Sequence, residues 1–487
     1  MTLTALVAAL VARGDDATVP IHTTTRAGFD TWLAREPERA RAWLGATGFE
    51  GKAGQVSLLA AADGRLERVY LSLPEPLDVE ASVNAGVDDG ALWAFAACPG
   101  SLPAGTYALA GRPSAALSDQ AALGWALAGY RFGRYRNQPE IKARLVWPVR
   151  ARRDAVESAA LATFLVRDLI NTPAQDMGPP ELAAAARTLA RSFGARVSVI
   201  AGDQLLKRNY PAIHAVGRAA AKAPCLIDLT WEPKRGSPKR AGRRLRRVTI
   251  CGKGVCFDSG GLDLKSSSNM QLMKKDMAGA AQALGLARMV MAAELPVRLR
   301  VLIPAVENAV AGNAYHPRDV LATRKGITVE VGNTDAEGRI VLADALAEAC
   351  RDGCDLVIDL ATLTGAARIA LGTGLPALFC NDDALAARAL DAGRAAADPL
   401  WRLPLWQPYR DKINSKVADI NNIASGPYGG AIIAALFLQE FVTEGTPWIH
   451  LDFMAWNETS RPGRPEGGEA QGLRALYRLI ARYYARR

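Results

Sequence analysis

From about residue 170 onward, short apolar runs alternate with longer segments whose apolar residues recur at helical spacing. Strands are predicted at 197–201, 225–231, 248–251, 297–303, 356–360, 377–380 and 448–453. Helices are predicted around them at 181–193, 279–294, 338–350, 384–397 and 431–441. Such alternation predicts an α/β fold with a mostly parallel central sheet flanked by helices on both faces. Residues 1–150 read as a smaller N-terminal α/β domain. It has strands at 55–60 and 66–73 on either side of an Asp63-Gly64 turn and helical patterns at 29–44 and 119–135. The charged stretch Val149-Arg150-Ala151-Arg152-Arg153-Asp154 leads into a helix at 157–170. The expected division is therefore 1–150, a linker helix over 151–170, and a larger domain over 171–487.

Composition sets the outer bounds. A chain of 487 residues, 49% of them hydrophobic, can bury a large core in two or three domains. No apolar run reaches the length of a membrane span. The run Leu3–Val11 lacks a basic leader and is followed by Asp15-Asp16, so it reads as a structured element and not a signal peptide. Seven cysteines, an odd number without framework spacing, predict reduced thiols and a cytoplasmic location. The net charge of +10 has its densest source at 234–247, between two apolar runs, where an exposed hairpin loop is expected. A solvated face is the plainer reading of that loop, and a phosphate-binding patch for nucleic acid is the alternative.

The chemistry concentrates in two clusters. Asn333-Thr334-Asp335-Ala336-Glu337-Gly338-Arg339 places two carboxylates and a guanidinium at alternate positions, on one side of the chain if the segment is extended. Upstream, Gly252-Lys253-Gly254-Val255-Cys256-Phe257-Asp258-Ser259-Gly260-Gly261 is followed by Lys265 and Asp276. Together the clusters hold four carboxylates, enough to balance two divalent cations, and hard oxygen ligands suit Zn, Mn or Mg. Competing readings are weaker. Asp258-Ser259-Gly260-Gly261 has Phe257 where a nucleophilic serine site wants glycine, and the Gly252-Lys253-Gly254 stretch lacks phosphate-loop spacing. The four histidines show no ligand spacing, and His450, inside Trp448-Ile449-His450-Leu451, reads as a core residue.

The stretch Lys253 to Ala281, KGVCFDSGGLDLKSSSNMQLMKKDMAGAA, and the later NTDAEGRIVLADAL closely resemble the signatures of the M17 leucine aminopeptidases. Weaker similar stretches run from about Asn171 to Trp456. The resemblance implies a dinuclear metallo-aminopeptidase that removes hydrophobic N-terminal residues from peptides with a free N-terminus. One metal would be held by Asp258, Asp335 (side chain and carbonyl) and Glu337, the other by Lys253, Asp258, Asp276 and Glu337. Zn or Mn would fill these sites, with Mg or Co also able to. A water between the metals would be the nucleophile, Lys265 would polarise the scissile carbonyl, and Arg339 would hold a bicarbonate acting as base. Met273, Thr362 and Gly365 would line the side-chain pocket, with the backbone of Leu363 near the anion. A homohexamer is also implied, and DNA binding stays open because some members of the family bind DNA.

The chemistry explains these residue types. Two metals about 3.5–4 Å apart lower the pKa of a shared water and stabilise both oxygens of a tetrahedral intermediate. A lysine ligand must be neutral, although its ordinary pKa is about 10.4, so the metal charge must depress it. Lys265 should instead stay protonated to face the oxyanion.

The chain departs from the family pattern at Ser266, where proline is expected, and at Asp263, an added carboxylate expected to cap a turn. It departs again at Met454 and at Gly467-Gly468-Glu469-Ala470, which bear on pocket width and local packing. Two other function classes stay in view: an unrelated two-metal hydrolase acting on phosphoesters, and a DNA-binding regulator with a relic site.

Overall fold

The computed structural model describes residues 8–75, 90–234 and 244–485. The chain forms two compact units. One is Met1–Phe164 with short returns at Arg394–Ala397 and Thr459–Glu466; the other is Leu165–Gly393, Asp398–Glu458 and Gly467–Arg487. Among the described residues, no helix is long and apolar enough to cross a membrane.

In the first unit β1 (Leu10–Val11), β2 (Val19–Thr25), β3 (Val56–Ala60), β4 (Leu66–Leu73), β5 (Gly105–Leu109) and β6 (Ala143–Val146) form one sheet, ordered β1-β6-β5-β2-β4-β3. Its neighbours run parallel except β3 and β4, which make the expected hairpin around Gly64, at φ +82. The helix expected over 29–44 is split into Phe29–Leu33 and Glu38–Ala46 by Pro37, whose ring and missing N–H cannot continue a helix. The helix Ala91–Ser101 gave no amphipathic signal because nearly all its side chains are buried. It packs against Ala115–Ala128 so closely that a Cβ on Gly124 would lie 2.3 Å from the Leu92 carbonyl oxygen.

The second unit contains β7 (Arg196–Ala201), β8 (Cys225–Trp231), β9 (Arg246–Gly252), β10 (Gly254–Asp258), β11 (Val297–Asn308), β12 (Val320–Leu321), β13 (Val329–Glu330), β14 (Leu356–Ala361), β15 (Ala377–Cys380), β16 (Trp401–Arg402), β17 (Ile420–Asn421) and β18 (Trp448–Asp452). Nine of these form one sheet in the order β16-β15-β18-β14-β9-β11-β8-β7, with β10 added beside β11; β12, β13 and β17 form a separate small sheet. Five of the eight pairings in the large sheet are parallel, and the antiparallel ones lie towards its edges. The fold class is thus α/β as the alternation predicted.

One local expectation fails. β8 and β9 do not form a hairpin, because β11 lies between them, antiparallel to β8 and parallel to β9. A long connection does not enforce adjacent pairing as a two-residue turn does. Residues 235–243 of that basic connection lie outside the described residues.

The central strands are buried on both faces, which is why they read as continuous apolar runs. Cys251, Leu302 and Val357 belong to the core shared with the helix Glu337–Cys350. Gly252, on the opposite face, meets the helix Ala278–Ala292, where an added Cβ would lie 2.6 Å from the Gly279 carbonyl oxygen. Both helices start beside the carboxyl ends of β9, β10 and β14, the edge at which open α/β sheets present their sites.

Candidate metal centre

Each candidate ligand is delivered by the end of a regular element. Lys253 occupies the single-residue link between β9 and β10, and its backbone N–H donates to the Leu360 carbonyl at 2.9 Å. Asp258 ends β10, Asp276 lies on the short 3-10 helix Met273–Met277, Asp335 sits in the turn after β13, and Glu337 begins the helix Glu337–Cys350. The alternating geometry expected for 335, 337 and 339 is therefore not realised, because the segment turns helical at Glu337. In a helix, residues two apart do not face the same way. Glu337 joins the acidic cluster, whereas Arg339 donates from Nη1 to the Asn422 carbonyl at 2.6 Å.

Asp258, Asp335 and Glu337 each present a carboxylate oxygen, all within 4.8 Å of one another. Two ammonium groups stand among the acids. Lys253 Nζ lies 2.8 Å from Asp276 Oδ2 and 2.8 Å from Glu337 Oε1, and donates to the Thr362 carbonyl at 3.1 Å. Lys265 Nζ lies 2.9 Å from Asp258 Oδ2 and also pairs with Asp335 Oδ1. The structure thus brings together all five proposed metal ligands and Lys265.

The crowding has electrostatic consequences. Burial, then the Asp258 charge, pushes the Glu337 carboxyl up to about 8; the same two causes push Asp335 up to about 6. Burial alone would lower the pKa of Lys253, but Asp276 and Glu337 outweigh it and the group is raised. Lys265 is likewise lowered by burial but raised overall, chiefly by Asp258 and Asp335. Asp276 is raised by burial but held low overall by Lys253 and Lys275. Among the described residues, Asp276 Oδ2, Asp335 Oδ1 and Glu337 Oε1 are buried, and each is in contact with one of the two ammonium groups. A compact set of hard oxygen donors that carry excess negative charge and hold back protons fits divalent cations.

A scaffold that the sequence reading did not single out fixes this cluster. Asn308, ending β11, donates from Nδ2 to Asp258 Oδ1 at 2.8 Å and to the Thr334 carbonyl at 3.0 Å. The Tyr315 hydroxyl donates to that carbonyl at 2.6 Å. Asp263 is committed to the turn, as expected: its Oδ2 accepts the Thr334 N–H at 2.7 Å. Gly338 admits Lys253, since a Cβ there would lie 2.6 Å from both Cε and Nζ. The signal available in the sequence was a polar residue closing an apolar strand, as at Asn308.

The proposed pocket residues divide. Thr362 joins the cluster directly, its hydroxyl donating to Asp276 Oδ1 at 2.7 Å. Met273 shares the 3-10 helix of Asp276, and Gly365 opens the helix Gly365–Leu371, where a Cβ would meet nothing within 4 Å. The Leu363 N–H donates to Asp452 Oδ1 at 2.9 Å. Burial lowers Arg339 to about 10, and its buried Nε has no partner among the described residues.

Two further sequence features find their places. His450 is fully buried, its Nδ1 lying 2.6 Å from Asp359 Oδ1, between the Phe379 and Trp448 rings. The altered segment at 467–470 is structural: buried Glu469 receives Arg167 Nε at 3.1 Å and Nη2 at 3.0 Å, and Asn457 Nδ2 at 2.7 Å. Met454 is buried, with Arg368 Nη1 3.9 Å from its sulfur.

Known proteins resemble the chain over most of its length. Residues 164–477 match the catalytic domain of the cytosol aminopeptidase family, and residues 19–148 match the M17 aminopeptidase N-terminal domain. A probable cytosol aminopeptidase of Roseiflexus castenholzii is 40% identical over 385 residues, covering 75% of this chain and 76% of that protein. The crystal structure of a cytosol aminopeptidase from Coxiella burnetii superposes with a TM-score of 0.88 at 46% identity, covering 98% of this chain and 99% of that one. The bottromycin maturation enzyme BotP, solved in complex with Mn, superposes with a TM-score of 0.83 at 35% identity, covering 96% of this chain and 99% of that one. A catalytic-domain match over most of the chain, joined to a buried acidic cage suited to cations, places this protein in the M17 cytosol aminopeptidase family of metal-dependent peptidases.

Proposed function

We propose that the chain is a leucyl-type aminopeptidase using two divalent cations, Zn or Mn with Mg or Co able to substitute, to release apolar N-terminal residues from peptides. The observation that carries this reading is the set of four carboxylates gathered around two lysines. One cation would be held by Asp258, Asp335 and Glu337, the other by Lys253, Asp258, Asp276 and Glu337. Bound there, the cations supply Lewis acidity and a lowered water pKa.

The residues of the chain do the rest. Lys265 keeps its proton at Nζ, since Asp258 and Asp335 favour the ammonium, and so holds a donor towards an oxyanion developing on the scissile carbonyl. Lys253 must give up the proton it shares between Asp276 and Glu337 before it can act as a ligand, so metal uptake releases protons. Arg339 would hold a bicarbonate base through its free Nε. Met273, Thr362 and Gly365 would border the side-chain pocket beside the Leu363 backbone. The division at 1–150, 151–170 and 171–487, a cytoplasmic location and a homohexameric assembly belong to the same proposal.

The test is an initial-rate assay on Leu-, Met-, Phe- and Ala-amides after chelation and refilling with Mn or Zn. Metal-dependent cleavage of the Leu-, Met- and Phe-amides is expected. Intact Leu-, Met- and Phe-amides with each metal would overturn the reading.

A further inference from the structure

The loop leaving β14 is held from two sides. On one side, Thr362 is bound to the acidic cluster, its hydroxyl on Asp276 Oδ1 at 2.7 Å and its carbonyl receiving Lys253 Nζ at 3.1 Å. On the other side stands Asp452, the last residue of β18 and the register partner of Ala361, from which the loop departs. Its Oδ1 accepts two successive backbone N–H groups, Leu363 at 2.9 Å and Thr364 at 3.1 Å, and its Oδ2 accepts the Thr364 hydroxyl at 2.6 Å. The Thr364 hydroxyl oxygen in turn accepts the Ala367 N–H at 3.0 Å and caps the helix Gly365–Leu371.

A carboxylate buried to 1% exposure costs too much unless its oxygens are satisfied. Here every hydrogen bond the structure gives the Asp452 carboxylate comes from Leu363 or Thr364. The carboxylate is therefore spent on the shape of one four-residue loop. Two loop residues, Thr362 and Gly365, are those assigned to the substrate side-chain pocket, and Asp452 reaches them through the two residues between, by the Leu363 and Thr364 N–H groups and the Thr364 hydroxyl. Asp276 touches the start of the loop and Asp452 its middle, so the pocket wall is referenced to the metal ligands at one end and to the central sheet at the other.

We infer that Asp452 is a specificity-determining positioning residue, which fixes the loop 362–365 and thereby the width of the pocket for the N-terminal side chain. The inference rests on the aminopeptidase reading for its substrate consequence, but the clamp itself is a property of the fold. Asn in place of Asp452 keeps the volume and an Oδ1 for the two N–H groups, but removes the charge that strengthens those bonds and turns the oxygen facing the Thr364 hydroxyl into a donor. Thr364→Val removes the hydroxyl link together with the Ala367 cap, whereas Thr364→Ser preserves both.

Two measurements on the full-length, metal-loaded protein decide the matter. In amide hydrogen exchange, peptides spanning 362–367 should exchange roughly tenfold to a hundredfold faster in Asp452→Asn, the loss of hydrogen bonds to a charged acceptor. Peptides within β14 should be unchanged. In steady-state kinetics, Asp452→Asn and Thr364→Val should reduce kcat/KM for Leu-amide relative to Ala-amide, mainly through KM, because only the larger side chain uses the pocket wall. Thr364→Ser should restore the Leu/Ala ratio. Unchanged exchange at 362–367 overturns the clamp, and an unchanged Leu/Ala ratio in an Asp452→Asn protein with altered exchange overturns the specificity role. If the wild type cleaves no aminoacyl amide, the aminopeptidase reading fails and the specificity role falls with it, while the exchange data still decide the clamp. Should Asp452→Asn fail to fold, Thr364→Val against Thr364→Ser carries both readouts.

Discussion

Replacing Gly338 by alanine tests whether the Lys253 seat is as tight as the geometry requires. The new methyl would lie 2.6 Å from Lys253 Cε and Nζ and 2.8 Å from Cδ, against an ordinary separation of about 3.5–4 Å. The ammonium must therefore move by about 1 Å. It holds Asp276 and Glu337 at 2.8 Å each and the Thr362 carbonyl at 3.1 Å, so a shift of that size breaks at least two of the three contacts. Charge-assisted bonds contribute roughly 1.5–3 kcal/mol each, and alanine in a helix returns about 1 kcal/mol, leaving a net loss of roughly 2–5 kcal/mol. Gly45, in the exposed helix Glu38–Ala46 with nothing within 4 Å of a built Cβ, supplies the control. Gly45→Ala should gain about 0.5–1 kcal/mol. The assay is denaturant unfolding of the metal-free proteins combined with elemental analysis after reloading. Gly338→Ala should be destabilised and bind less metal per chain. Wild-type stability together with full metal content would refute the packing argument.

Other consequences are as direct. Asp258→Ala should empty both sites, because Asp258 serves both proposed ligand sets, and full occupancy by elemental analysis would contradict the bridging assignment. Lys265→Ala should keep its metal and lose turnover, measured on Leu-amide at matched metal content. In the metal-free protein, Glu337 at about 8 and Asp335 at about 6 lie above their ordinary values, so the fold binds more protons than the unfolded chain between about 4 and 8. Metal-free stability should fall as pH rises through that window, while the stabilisation added by metal should grow; a metal increment that is flat between about pH 6 and pH 8 would argue against proton-linked binding. Glu469→Gln removes a carboxylate paired with buried Arg167 and should lower stability in denaturant melts by roughly 1–3 kcal/mol, with unchanged stability contradicting the buried-pair argument.

Much of the larger unit was legible because its strands are short continuous apolar runs, buried on both faces, set between longer helical segments. Cys225–Trp231 and Ala377–Cys380 fall where their apolar runs do. What periodicity could not carry was pairing: nothing local in 225–251 says that β11, some fifty residues later, separates β8 from β9. The buried helix Ala91–Ser101 was invisible for a related reason, having no polar face to mark its period. In the site, residue types marked the carboxylates Asp258, Asp276, Asp335 and Glu337, the resemblance to the M17 aminopeptidases added Lys253 as a ligand, and the fold brings all five together. The extended reading of 335–339 was misled by treating alternate charges as a strand, when Gly338 and the apolar residues after it belong to a helix. Asn308, Tyr315 and Asp452 were missed because each acts through long-range hydrogen bonds that leave no periodic trace.

The central claim is that one acidic cage holds a pair of cations, and anomalous diffraction from crystals loaded with Mn or Zn tests it most directly. Two peaks are predicted, both bounded by Asp258 and Glu337, with Lys253 and Asp276 completing one and Asp335 the other. A single peak, or none, would contradict the account.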